Sequence, residues 1–400
     1  MAIDRYPSAA SRSRLLPLVT VLACAMLAAC GAAPVAELTA TPSGRAVAGG
    51  LPQSPQEAQE LREKLHRTLF GTSDLSGATT GPTHPVPVLP PDLPPLIRAY
   101  TANTSAVAVP LKYRLTSTVD VLTPKKPGSC VLIWAEGHSP KRFEGGGDAV
   151  VSSALRSGCR VAVLDMPWKG RNVGQAATLP DGRIVDPSRP EPYALHDDMR
   201  LLDTAESNAV GLFVAPSIGL VDYFQRTIPD VDIMMAGLSG GGWTTTISAA
   251  ADPRIRRSME VAGSEPISDL SDCVGDYEQC NARLFSQVGP EQLYALAAIG
   301  TGRSFVQVLN FNDPCCFAGI TGETYARAVQ ESVAASGGGS YRMISDRTLR
   351  LHAIPAVARR TLSGWAADPE ASATSATTAP SGSSSEPLPA GAGPTSTRTS

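Results

Sequence analysis

The chain has 400 residues, of which 42% are hydrophobic and 18% charged, with 37 acidic against 34 basic side chains and a formal net charge of −3. A mildly acidic chain without a basic run offers no electrostatic footprint for nucleic acid, so that class of partner is excluded. The length allows one large folded domain with extensions at both ends.

The amino-terminal segment carries Arg5, Arg12 and Arg14, then an apolar run from Leu15 to Ala29 that ends at Cys30. This is the layout of an export signal. The run contains Pro17 and is shorter than the roughly twenty apolar residues of a membrane-spanning helix. Leu27-Ala28-Ala29-Cys30 resembles the bacterial lipobox, which implies cleavage before Cys30 and lipidation of that cysteine. Two or more acyl chains anchor a protein firmly to a bilayer. The expectation is therefore a signal peptide over residues 1–29 and a lipid-anchored protein on the extracytoplasmic side of the envelope. Residues 1–29 hold three arginines and one aspartate, so without them the net charge of −3 becomes −5.

Residues 30–95 read as a tether. Within it Ser54-Pro55-Gln56-Glu57 has the form of a capping box with proline at the first helical position. Ala58, Leu61, Leu65 and Leu69 follow at helical spacing, and Gly71 ends the predicted helix, which is expected to pack on the domain. Seven prolines between Pro82 and Pro95 predict an extended spacer.

Residues 96–365 are expected to form the globular domain. Leu111, Tyr113 and Leu115 alternate with polar neighbours, which suits an antiparallel edge strand. Short apolar or β-branched runs then follow at 131–135, 161–165, 231–236, 257–262, 304–311 and 341–345, separated by helical patterns. Such runs are strands buried on both faces of a mainly parallel sheet. Residues 366–400 are mostly Ala, Ser, Thr, Pro and Gly, with Leu388 the only large aliphatic, and are expected to be a disordered tail.

Gly237-Leu238-Ser239-Gly240-Gly241 fits G-x-S-x-G. With 36 glycines in the chain the pattern alone decides little, but its setting does. The run 231–236 before it reads as a strand and 243–251 after it as a helix, the strand, sharp turn and helix that present a strained serine at a helix N-terminus. Over roughly residues 105 to 360 this arrangement resembles the α/β-hydrolase superfamily. That implies an α/β-hydrolase fold with a mainly parallel sheet flanked by helices. Space for a small insertion after the sixth strand of that fold lies between Gly263 and Gly302.

The family order of nucleophile, acid and histidine implies Ser239 as nucleophile and His352 as general base, since only His352 of the five histidines follows the serine. Asp313, just beyond the run 304–311, is the implied acid. Glu265, Asp269, Asp272 and Asp276 compete for that role because they follow the preceding strand. Oxyanion donors are expected from Gly240 and from Gly137 or His138 in the loop after the first parallel strand. Trp168, Lys169 and Arg171 sit in the loop after the next one and are candidates for substrate contact.

Six cysteines remain beyond the signal and Cys30, in a compartment that permits disulfides. In the family's strand order the strands that follow Cys130 and Cys159 are neighbours, which implies a Cys130–Cys159 bond. Cys273 and Cys280 would close a short loop as a second pair, and the pairing of Cys315 and Cys316 stays open. His196-Asp197-Asp198 invites a metal reading, but adjacent residues on a helix point in different directions. No metal and no cofactor are expected. The implied activity is carboxylic-ester hydrolysis outside the cytoplasm, on a small-molecule or polysaccharide ester. A peptidase of the same fold and a non-catalytic envelope-binding lipoprotein are the alternatives.

Overall fold

The computed structural model describes residues 50–88, 92–187, 196, 198–266, 276–319 and 322–367. Eleven strands can be numbered among them: β1 (His84–Val86), β2 (Thr101–Pro110), β3 (Thr116–Pro124), β4 (Cys130–Ala135), β5 (Arg160–Leu164), β6 (Ala177–Thr178), β7 (Ile184–Val185), β8 (Asp232–Leu238), β9 (Arg257–Val261), β10 (Ser304–Asn310) and β11 (Ser340–Asp346). The helices are α1 (Pro55–Phe70), α2 (Pro95–Tyr100), α3 (Gly147–Arg156), α4 (Gly211–Thr227), α5 (Gly240–Ala251), α6 (Ala282–Phe285), α7 (Pro290–Ala298), α8 (Gly322–Ala335) and α9 (Ala356–Ala367). None of the described helices is long and apolar enough to cross a membrane.

Nine strands form one sheet in the order β1-β2-β3-β5-β4-β8-β9-β10-β11. β1, β2 and β3 pair antiparallel, β3 meets β5 antiparallel, and from β5 to β11 every pairing is parallel. The six predicted parallel runs coincide with β4, β5, β8, β9, β10 and β11. They read as continuous apolar runs because both faces are covered. Along β4, Val131, Ile133 and Ala135 face a core shared with α1, α4, α5, α7 and α8, while Cys130, Leu132 and Trp134 face a second core with α2, α3 and α9.

The strand expected around Leu111, Tyr113 and Leu115 is a tight turn instead. Tyr113 and Arg114 have φ of 62° and 60°, and the segment links β2 to β3. Its alternation arises because Leu111 and Leu115 are both buried on either side of that turn. The proline-rich stretch also differs from a plain spacer, since His84–Val86 adds an antiparallel edge strand against Ala106–Ala108. Proline is tolerated there because an edge strand needs no inward N–H at every position.

α1 follows the reading closely. Ser54 caps it by accepting from Glu57 N, and Gly71 closes it in the left-handed region with φ of 80°. It docks on the C-terminal end of α5, where backbone carbonyls lack intrahelical partners. Arg62 donates to Ala250 O and Leu296 O, and His66 Nε2 donates to Ala251 O at 2.8 Å. Cys130 and Cys159, each beside the start of adjacent strands, are joined as expected. Cys280 is disulfide-bonded, and Cys273 lies outside the described residues. Cys315 and Cys316 are bonded to each other, which closes the question that the sequence leaves open.

Within the sheet, Glu260 on β9 is fully buried. Its carboxyl accepts from Thr246 Oγ1 at 2.6 Å and Ser264 Oγ at 2.8 Å. Burial raises its pKa to about 8 from 4.5, and nearby Glu265 adds to the rise against those hydrogen bonds. A carboxyl with a raised folded-state pKa stabilises the fold most fully below its unfolded value. That contribution is lost as pH rises from 4.5 through about 8. Glu260→Gln, neutral at every pH, should therefore lower the wild-type loss of thermal midpoint between about pH 5 and about pH 8. Scanning calorimetry of both proteins checks this, and parallel curves would reject it.

Candidate active site

Ser239 joins β8 to α5 with φ of 59° and ψ of −130°. A non-glycine residue in this region stores strain on the order of 1–3 kcal/mol, which the surrounding structure must hold. Two hydrogen bonds fix the turn: Ser239 N donates to Val261 O on β9 at 2.9 Å, and Trp243 N donates to Ser239 O at 3.0 Å. The serine thereby sits at the N-terminus of α5, where backbone N–H groups and the helix dipole favour negative charge.

The loop after β4 presses on this turn. A Cβ on Gly137 would lie 2.8 Å from Leu238 O and 3.3 Å from Ser239 Cβ. A Cβ on Gly240 would lie 2.5 Å from the His138 ring. Both glycines are needed for that close approach, which sets the backbone at 137–138 and at 240 on the same side of Ser239.

Asp313 follows β10, and His352 lies in the loop between β11 and α9. His352 Nδ1 donates to Asp313 Oδ2 at 2.9 Å. The other carboxylate oxygen accepts from Cys315 N at 2.9 Å and Cys316 N at 3.3 Å. Burial alone would raise the Asp313 pKa, but the histidine and the two backbone N–H groups outweigh it and hold the carboxyl below its ordinary range. Asn310 ties the two loops, donating to Asp313 Oδ2 at 3.3 Å and to Ala353 O at 2.8 Å. Of the competing carboxylates, Asp276 pairs with His138, Glu265 is buried beyond the end of β9, and Asp269 and Asp272 lie outside the described residues.

Ser239 and His352 line one cleft of about 310 Å³ with Trp134, Glu136, Gly137, His138 and Leu238 among its walls. His352 Nε2 is buried and makes no hydrogen bond to a described residue, Ser239 Oγ included. Catalytic hydrogen bonds are often long before substrate arrives. A larger hollow of about 800 Å³ lies by Lys112 and Arg183, and neither Ser239 nor His352 lines it.

The three candidate contacts of the loop after β5 are not among the described residues lining the cleft. Trp168 is buried, and its N–H donates to Gln175 O. Arg171 pairs with Asp120 at 3.0 Å. Lys169 Nζ donates to His138 O at 3.3 Å, which ties this loop to the one after β4. The buried carboxylates of Asp120 and Asp165 take Arg142 and Arg171 as their basic partners. Cys30 lies outside the described residues.

Two features escaped the sequence. Glu136 accepts from Trp134 Nε1 and Phe143 N at the back of the cleft, and burial, with Asp165 nearby, raises its pKa to about 7. His138 Nε2 is turned away from Ser239 toward Glu278 at 2.8 Å and Asp276 at 3.0 Å. Burial would lower its pKa, but the two carboxylates reverse this and raise it to about 9. Its Nε2 is thus engaged by two carboxylates, whereas the Nε2 of His352 is engaged by no described residue.

No family model matches the sequence, and no curated protein does. Among solved structures the chain is similar to methylesterase BT1017, at 17% identity and a TM-score of 0.54, over 78% of this chain and 64% of that one. It thus spans less than two thirds of that protein's length. It is also similar to a candidate acetyl xylan esterase from Bacteroides fragilis, at 12% identity and a TM-score of 0.51, over 80% of this chain and 86% of that one. The fold is that of the α/β-hydrolases. These identities speak to architecture, and chemistry has to be argued from the site.

An aspartate that orients an imidazole differs measurably from one that merely starts a turn. Asp313→Asn keeps the shape but loses the charge that fixes the His352 tautomer. If the pair works in catalysis, kcat on an activated ester should fall by roughly 10³–10⁴ with little change in KM. A loss below tenfold would show that the pair is structural.

Proposed function

We propose that the protein is a serine esterase that works outside the cytoplasm, tethered through a lipidated Cys30. One observation carries the reading: an Asp313–His352 pair and a strained serine at a helix N-terminus open onto a single cleft. In the proposed reaction, an ester carbonyl sits above Ser239. His352 Nε2 takes the hydroxyl proton as Oγ forms a bond to the carbonyl carbon. The carbonyl electrons move to oxygen, and the negative charge is met by the N–H of Gly240 and one from the Gly137–His138 backbone. The carbon–oxygen bond to the alcohol breaks, and the imidazolium returns its proton to the leaving oxygen. Water then attacks the acyl-enzyme by the same steps and releases the acid.

The modest cleft, walled by Trp134 and Leu238 with polar groups at its mouth, suits a small acyl or alkyl group on a larger polar molecule. Polysaccharide esters fit that description. The two similar structures named above carry ester-cleaving descriptions, which supports this direction. The apolar run ending at Cys30 supports placement on the envelope's outer side.

Ser239→Ala should lower p-nitrophenyl acetate hydrolysis by roughly 10⁶-fold and abolish labelling by a fluorophosphonate, with unchanged circular dichroism. Equal labelling of both proteins would reject the nucleophile, and absence of labelling in wild type would favour a binding protein. Separately, Cys30→Ala should move the protein from the membrane pellet to the soluble fraction. Unaltered sedimentation would refute the anchor.

A further inference from the structure

Beside the cleft, four side chains from distant parts of the chain meet at one point: His138, His196, Asp276 and Glu278, with one donor atom from each within 4.8 Å of every other. His138 Nε2 lies 3.1 Å from His196 Nδ1, 2.8 Å from Glu278 Oε1 and 3.0 Å from Asp276 Oδ2, and His196 Nδ1 lies 3.4 Å from Glu278 Oε2. The edges of a tetrahedron around a zinc ion with bonds of 2.0–2.2 Å are about 3.3–3.6 Å long. The 3.4 Å separation matches such an edge, and the other three, at 2.8, 3.0 and 3.1 Å, are shorter and at hydrogen-bond length.

Proton bookkeeping points the same way. His196 Nε2 donates to Pro167 O at 3.1 Å, which turns Nδ1 of the same ring into the cluster. Both carboxylates add lone pairs. One N–H, on His138 Nε2, faces all three acceptors and cannot align with each. Glu278 Oε2 is buried without a hydrogen-bond partner, and Glu278 and His196 are both almost wholly buried. A wholly buried carboxylate with a second, partly exposed one beside it calls for more positive charge than one proton brings. The Pro167 contact is the outer-shell bond by which metal-bound histidines are oriented.

We propose that His138, His196, Asp276 and Glu278 bind a zinc ion. Two imidazoles and two carboxylates suit zinc better than calcium or magnesium, which prefer all-oxygen sets. Four protein ligands close the coordination shell, so the ion is structural. It holds the 137–138 backbone, which packs on Ser239 and Gly240, against residues 276–278 and His196. The expectation of no metal rests on the divergence of the adjacent His196-Asp197-Asp198 and on the family resemblance, whereas these four ligands converge from distant parts of the fold.

The test uses the full chain, stripped with a chelator, supplied with zinc chloride and gel-filtered. Mass spectrometry should find one zinc per chain, and zinc at a hundredfold excess over its dissociation constant should raise the thermal midpoint by roughly 5 °C or more. Glu278→Gln and His196→Ala should each retain at least roughly tenfold less zinc. Should these buried variants fail to fold, Asp276→Asn, at a partly exposed position, should weaken zinc affinity at least tenfold by calorimetry. Ser239→Ala should lose hydrolysis yet keep its zinc, so the metal and the esterase readings fail separately. Negligible zinc in wild type, unchanged zinc in the ligand variants, or preferential retention of calcium would overturn the assignment.

Discussion

The turn at Ser239 is the constraint around which the rest is arranged. A serine at φ of 59° and ψ of −130° is stable only if the strand before it, the helix after it and the loops beside it leave it no easier place. β8 is central in the sheet, flanked by β4 and β9, so the chain cannot relax sideways. α5 is buried along its whole length and pinned at its far end by Arg62 and His66 of α1, so it cannot slide. Glycine at 137 and 240 lets the β4 loop close on the turn. The helix that the sequence places before the domain is thus part of what holds the strained residue.

From that fixed point, parallel topology does the gathering. β4, β8 and β10 run the same way, so the residues that follow each of them emerge at one edge of the sheet: Gly137 and His138, then Ser239, then Asp313. β11 ends there too and delivers His352 through the loop that follows. The lateral order of strands, rather than order in sequence, decides which loops touch. Asn310 at the end of β10 then locks the acid loop to the histidine loop through Ala353 O. The bonded Cys315 and Cys316 sit where their N–H groups feed Asp313. The carboxylate therefore receives three kinds of donor and stays ionised despite its burial.

The parallel strands were legible because burial on both faces leaves an apolar run that few other structures demand. The β8–Ser239–α5 unit was legible for a different reason: its glycines are forced by backbone approach and so leave a fixed spacing. The antiparallel edge was not. Leu111 and Leu115 are buried at either side of a turn, and a turn of that length imitates the alternation of a strand. Nor could sequence tell Trp168 and Arg171 in a cleft from the same residues turned inward, because the inward placement rests on Gln175 O for the first and on Asp120 for the second. The cluster around His138 was invisible for the plainest reason. Its members lie as far apart as 140 positions, and no local pattern records such a meeting.

The two imidazoles near Ser239 show how environment, and not residue type, assigns roles. His138 is nearer in sequence to the oxyanion loop and packs on Gly240, yet two carboxylates hold its Nε2 and keep it charged or ligated. His352 has one carboxylate on Nδ1 and nothing among the described residues on Nε2. A base needs an unengaged lone pair facing the proton it removes, and an orienting partner on the opposite nitrogen. The second imidazole, His352, has the orienting partner and an Nε2 unengaged among the described residues, which is what the proposed reaction asks of it. The first has surplus anionic partners, the condition for holding a cation and not for moving a proton. The same fold edge therefore carries one imidazole held by carboxylates and one with an unengaged nitrogen, although the two rings lie on walls of one cleft.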